Sequence, residues 1–389
     1  MPPAKPYKLK EDGGNYYRDP NAARSPKYPV EPAVRAVLTE NPEIYPQSID
    51  VFACSSTMGS LLRFVRRIDK PFRFFVEVVG NTVFFIRHEN SPTEFIPGVR
   101  GYGHTFPEAY TSWDSDVRGS TSNQRILKYE FDSLQCILRF ECDGYLKTKA
   151  TKDTTMLTKS TSNTRKDDEG NMSLLLDHLN VTAHNRNTHQ PLQIQTAGRR
   201  IPQAAVFDLK TRSARKITNV LEEELPRFWV AQIPNFILAR HQSGLFLEIE
   251  ITDVSAKVKK WQQDSQNDLR QLALLLRKII TAVKKRGDGK LEIRCKSLEA
   301  LELREQDTDE HDVLPLELRT IWLEKTPSGR TDVVEKSVLD SHRDGDALKA
   351  SHPGEINEKD SRLRGQDEES DEDYTGCSAK CGYCGHCSY

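Results

Sequence analysis

The sequence predicts an α/β fold of the mixed-sheet, α+β kind, with helices on the faces of the sheet. Three observations carry this. Short apolar runs with strand-like alternation occur at 72–79, 82–87, 137–145 and 205–211. Two stretches, 61–68 and 254–286, instead repeat apolar residues near the helical period of 3.6. Polar, charged sequence fills both ends and the interval 147–192, so the core is built from the remainder.

The elements follow in order. Residues 1–30 lack periodicity and read as a flexible arm. Ser55-Ser56-Thr57 cap a helix whose stripe is Leu61, Leu62, Phe64, Val65 and Ile68. Strands at 72–79 and 82–87 are joined by Gly80-Asn81, a favoured hairpin loop. Pro107 suits the first turn of a helix and sets Glu108 beside its N-terminus. Strands at 125–131 and 136–146 precede the polar interval, and strands near 205–211, 235–240 and 246–251 follow it. One long helix is expected over 254–286, with Val258, Trp261, Leu272, Leu276, Ile279 and Val283 on its apolar face. Gly287-Asp288-Gly289 ends it before a last strand at 290–294, and a short helix at 316–323 packs beyond. The expected layout is an arm (1–30), one domain (31–325, with 147–192 as an insertion), a charged tail (326–376) and a cysteine-rich end (377–389).

Composition bounds the function. The 389 residues carry 56 basic and 57 acidic side chains, a net charge of −1, so any basic groove must be local. Mean hydropathy is −0.64, and no apolar run approaches the roughly 20 residues that span a bilayer. Met1-Pro2-Pro3-Ala4-Lys5-Pro6 leads into no apolar segment, so a soluble intracellular protein without a membrane partner is expected. No Gly-x4-Gly-Lys loop is present, and Gly101-x-Gly103 lacks the third glycine of a dinucleotide fingerprint.

Two acidic segments point to chemistry. Glu141 and Asp143 stand two apart in one apolar strand, and Asp208 and Lys210 two apart in another. On an extended strand each pair shares a face. If the strands are neighbours, three carboxylates and an ammonium converge. Alone, each pair reads equally as a solvated strand surface. Held together in apolar sequence, with Glu108 upstream, the charges need compensation, and a bound cation would give it. Clustered carboxylates hold Mg2+ or Mn2+, which activates water and neutralises phosphoryl oxygens. A lysine beside them stabilises transition-state charge.

The order of these motifs resembles the DXO family of decapping exoribonucleases, a branch of the PD-(D/E)xK nucleases. The likeness runs over about 50–295. It includes the Gly59 helix, the Gly80-Asn81 hairpin, the 102–108 segment ending in Glu108, Glu141-x-Asp143 and Asp208-Leu209-Lys210-Thr211. Trp229 with Gln232, then Ile237, Arg240, Gly244 and the helix after Asp253, complete it. The resemblance implies that Glu108, Asp143 and Asp208 hold the metals, with Glu141 a ligand directly or through water. It also implies that Lys210 and Gln232 contact the water or scissile phosphate. It further implies action on RNA 5′ ends in the nucleus (cytoplasm the alternative): removal of a cap, an NAD cap or pyrophosphate, with 5′–3′ trimming and a 5′–3′ exoribonuclease as partner. Two features depart from the family. Met58 stands where the family has an arginine that helps hold the RNA 5′ end, and the 147–192 insertion is longer. A member that binds RNA or an exonuclease without cutting is the competing reading.

Of eight cysteines, Cys54, Cys136, Cys142 and Cys295 lie in apolar segments and read as buried thiols. Cys377, Cys381, Cys384 and Cys387 crowd the end, where four soft ligands suit Zn2+, although two adjacent short spacings are tight for one ion. A thiol-rich tail without metal is the plain alternative.

Overall fold

A computed structural model of the chain describes residues 6–88, 90–154, 192–216, 219–306 and 312–326. In chain order the helices are Pro20–Arg24 (α1), Glu31–Glu40 (α2), Ser55–Val65 (α3), Thr105–Tyr110 (α4), Lys147–Thr154 (α5), Val220–Ala231 (α6), Ser255–Asp264 (α7), Gln266–Lys284 (α8) and Leu316–Glu324 (α9). The strands are Val51–Cys54 (β1), Phe72–Val79 (β2), Thr82–Arg87 (β3), Gln124–Phe131 (β4), Leu134–Glu141 (β5), Gly144–Tyr145 (β6), Val206–Ser213 (β7), Asn235–Gln242 (β8), Leu245–Asp253 (β9), Lys290–Ser297 (β10) and Ala300–Arg304 (β11).

Two mixed sheets result. The larger runs β11-β10-β2-β3-β1-β5-β4, and the smaller runs β6-β7-β8-β9. In the larger sheet β1 is parallel to both β3 and β5, so three carboxyl ends open on one side, where α/β proteins place ligands. Its two faces are covered by different helices. Leu61 and Leu62 of α3 and Leu272, Leu276 and Ile279 of α8 pack with Phe74, Val76 and Phe85. On the other face Val34 and Val37 of α2 and Leu318 and Trp322 of α9 pack with Phe52 and Phe84. A buried ion pair pins α9, since Glu77 accepts from Arg319 at 2.5 Å and from the Val313 amide at 2.8 Å. Helix α6 fills the gap between the sheets, with Phe228 against Phe140, Phe236 and Leu238. All four cysteines among the described residues are buried and free.

The mixed sheet, the hairpin at Gly80-Asn81 and the stripes on α3 and α8 match expectation. Four expectations are corrected. Residues 6–30 are no free arm: Leu9, Asp12, Arg18, Asp19 and Ala22 are buried. The Asp12 carboxylate accepts from the His104 and Thr105 amides at 3.0 and 2.9 Å, capping α4. Tyr16 stacks on His104 at 3.6 Å, and Arg18 pairs with Glu94 at 3.1 Å. A side chain at Gly244 would meet the Leu9 carbonyl at 2.6 Å, so this glycine lets the segment lie against the small sheet.

The long helix is two, broken at Ser265, whose ψ of 18° leaves the helical range. The strand at 290–294 runs on to Ser297 and turns into β11, because Cys295 is as buried as Ile293 and continues the alternation. Within the 147–192 interval, residues 147–154 form α5. The rest of that interval up to residue 191, the charged tail from residue 327 and Cys377, Cys381, Cys384 and Cys387 lie outside the described residues. Among the described residues no helix is long and apolar enough to cross a membrane.

Candidate active site

The parallel strand ends open into a cleft of about 1430 Å³ walled by both sheets, α4 and the N-terminal segment. Glu108, Glu141, Asp143, Asp208 and Lys210 all line it. Ten basic and six acidic side chains face it, so a chain of net charge −1 concentrates positive charge here.

The two acidic strands are not neighbours. Strand β5 belongs to the large sheet and β7 to the small one. Glu141 is the last residue of β5, and beyond it the chain crosses to the small sheet, where β6 pairs with β7 at Gly144 and Phe207. A side chain at Gly144 would meet the Phe207 ring at 2.6 Å, so glycine is what allows this crossing. Glu141 and Asp143 therefore do not share a strand face. They serve opposite sides of the cleft.

Asp143 sits on the floor. Its Oδ2 accepts from the Leu209 amide at 2.6 Å, which ties it to the strand carrying Asp208 and Lys210. It is open to the cleft but hemmed in by protein on its other sides. This confinement, with the adjacent Asp208 charge, pushes its carboxyl up to about 8. Asp208 and Lys210 share a face of β7 and are both buried.

Helix α6 meets these groups with two charges of its own. Arg227 grips both oxygens of Asp208, and its Nε lies 2.5 Å from Glu224. Glu224 also reaches Lys210 at 3.7 Å. Two acids and two bases are thus linked, Asp208–Arg227–Glu224–Lys210. Burial opposes the charge on Arg227, but Asp208 and Glu224 outweigh it and keep the guanidinium protonated.

Glu141 faces a different set. Confinement raises its carboxyl, and Asp19 adds to the rise, while Arg87, Arg139 and Arg24 pull the other way. Arg87 at the end of β3 and Arg139 on β5 flank β1, and both line the cleft. The N-terminal segment aims them: Arg139 donates to the Pro29 carbonyl at 3.2 Å and Arg87 to the Arg18 carbonyl at 3.1 Å.

Two residues of the resemblance stand elsewhere. Gln232 is left-handed at the C-terminus of α6, exposed, with its amide donating to the Trp229 carbonyl at 2.6 Å. It is outside the cleft because the helix presents Arg227 there, and a residue five further on ends the helix beyond the cleft. Met58 points from α3 into the core and does not line the cleft. Sequence reading missed Glu224 and Arg227. The signal was an acid and a base three apart in a helix directly after the Asp208 strand.

The donor set suits a hard divalent cation in part. Asp143 and Asp208 supply oxygen ligands whose mutual repulsion a cation would relieve. Among the described residues, however, no three such side chains are placed together to hold one, and Arg227 already occupies the Asp208 oxygens.

Residues 3–320 match the model of a family described as Domain of unknown function (DUF8563). The chain belongs to that family. No curated protein matches it. Among solved structures it is similar to Rai1 of S. pombe, at 12% identity and a TM-score of 0.46 over 77% of this chain and 84% of that one. Rai1 of Scheffersomyces stipitis in complex with (3′-NADP)+ and calcium aligns at 11% identity and a TM-score of 0.49 over 76% and 79%. Dxo1 of K. lactis in complex with manganese aligns at 8% identity and a TM-score of 0.43 over 72% of each chain.

Proposed function

We propose that the protein is a metal-dependent hydrolase acting on the 5′ end of RNA, removing a cap, an NAD cap or pyrophosphate. The observation that carries this reading is the Asp143–Asp208 pair, with Lys210, on the floor of a basic-walled cleft. A divalent cation, Mg2+ or Mn2+, would supply charge neutralisation and water activation at that pair. Asp143 and Asp208 are the residues to hold it; Glu108 lines the same cleft from α4. The walls do the rest of the work. Arg87 and Arg139 bind phosphate oxygens and orient the strand, and Lys210 stabilises charge that builds on the phosphoryl group. Glu141 stands on the arginine wall, across the cleft from the Asp143–Asp208 pair.

A second reading is favoured by one observation. Arg227 satisfies Asp208 without any metal, so the same cleft would serve a protein that binds RNA ends without cutting them. One experiment separates the two. RNAs bearing a 5′ triphosphate, an unmethylated cap or an NAD cap are incubated with the protein and Mn2+ or Mg2+. Release of the 5′ group by wild type, and none by Asp208→Asn or Lys210→Ala, supports the hydrolase. Wild type as inert as both variants, with RNA binding intact, leaves the binding module.

A further inference from the structure

Strand β9 is the outer edge of the small sheet among the described residues, and from Leu247 to Ile251 it is exposed on both faces. On one face Ile249 and Ile251 continue the rows of Ala239 and Ile237, yet they are 39% and 57% exposed. Helix α4 and the N-terminal segment cover Ala239 through Phe106 and Leu9 but stop short of the edge. On the other face Glu248 and Glu250 continue the rows of Arg240 and Leu238, beyond the cover of α6. Leu247, at the bulge, is 64% exposed. The edge therefore reads Leu-Glu-Ile-Glu-Ile, with apolar and acidic residues alternating.

An open edge with exposed isoleucines is an aggregation hazard unless it is meant to be paired. The edge already accepts an antiparallel partner at one end. Lys8 bridges Leu245, and the Leu9 amide donates to the Gly244 carbonyl at 2.9 Å. Among the described residues that pairing is confined to this end of the strand. From Leu247 to Asp253 the edge is left open among the described residues.

We propose that this edge docks an extended segment of a partner protein by strand addition, and that the segment alternates apolar residues with lysine or arginine. Main-chain hydrogen bonds would give the affinity. Its apolar side chains would lie beside Ile249 and Ile251, and its basic ones beside Glu248 and Glu250. A second copy of this chain fits poorly. Any antiparallel self-pairing that sets isoleucine beside isoleucine also sets acid beside acid.

The test uses the full-length protein and two fluorescent peptides, one alternating lysine with valine and one alternating glutamate with valine. The lysine peptide binds saturably, and the glutamate peptide does not. Ile249→Lys weakens lysine-peptide binding about tenfold, the scale of a few lost cross-strand pairs. Glu250→Lys shifts preference toward the glutamate peptide, and both variants keep the wild-type melting temperature to show that they fold. No saturable binding, equal binding of both peptides, or binding unaffected by both variants overturns the proposal. Concentration-dependent dimerisation abolished by Ile249→Lys would assign the edge to a second copy and overturn it too.

Discussion

The two sides of the cleft invert each other's charge. On the large-sheet side Glu141 is outnumbered by Arg24, Arg87 and Arg139. On the small-sheet side Asp143 stands beside Asp208, and the nearest bases, Arg227 and Lys210, are committed to acids. Two carboxylates that are adjacent but one in sequence thus end in opposite fields. One wall suits an anion and the floor suits a cation, which is the pairing that phosphate chemistry with a metal requires.

Four experiments test this division of charge between the two walls. Asp208→Asn attacks the floor directly. On the hydrolase proposed above, release of the RNA 5′ group falls by about 10³-fold, the scale of removing a principal transition-state stabiliser. Arg87→Ala and Arg139→Ala must retain Mn2+ binding, because they belong to the other wall.

Arg227→Met tests whether the internal cation competes with a metal. Calorimetric titration with Mn2+ shows binding about tenfold tighter than wild type, since Asp208 no longer has to surrender a guanidinium. Unchanged affinity would mean that Arg227 and metal do not share Asp208.

On the arginine wall, Arg139→Ala weakens RNA binding and lowers the salt dependence by about one counterion, as for one lost phosphate contact. Fluorescence anisotropy across salt concentrations reads both.

The last experiment is a pH series on the metal-free protein. Asp143 is raised from 3.8 to about 8, so the folded state holds a proton there that the unfolded chain has released. Stability contributed by that proton is complete below pH 3.8 and is lost as pH rises through 8. Asp143→Asn removes the loss. Its melting temperature exceeds that of wild type by more at pH 8 than at pH 5, by a small margin because the group opens onto the cleft.

Much of the fold was legible. Short apolar runs located the hairpin β2–β3, β5 and β7, because these strands are buried along most of their length between helix layers. The break at Ser265 was not legible, since α7 and α8 both carry helix-forming residues and only packing separates them. The N-terminal segment was misread for a related reason. It has no periodicity of its own, and its order comes from Asp12 capping α4 and Tyr16 stacking on His104, both distant in sequence. At the site, Glu108, Asp143, Asp208 and Lys210 were legible as charges in structured sequence. Gln232 was misplaced because motif order does not report which turn of a helix faces a cleft.

The mixed sheet, the helices on its faces and the acid-x-Lys strand are legible in the residues alone, because side-chain period and apolar patterning are local properties of the chain. That β5 and β7 lie in different sheets, that the chain crosses between them after Glu141, and that Arg227 pairs with Asp208 are visible only once the chain is folded. Those outcomes depend on which surfaces meet across the gap that α6 fills. A Coulomb interaction acts through distance in space, and spacing along the chain does not carry it.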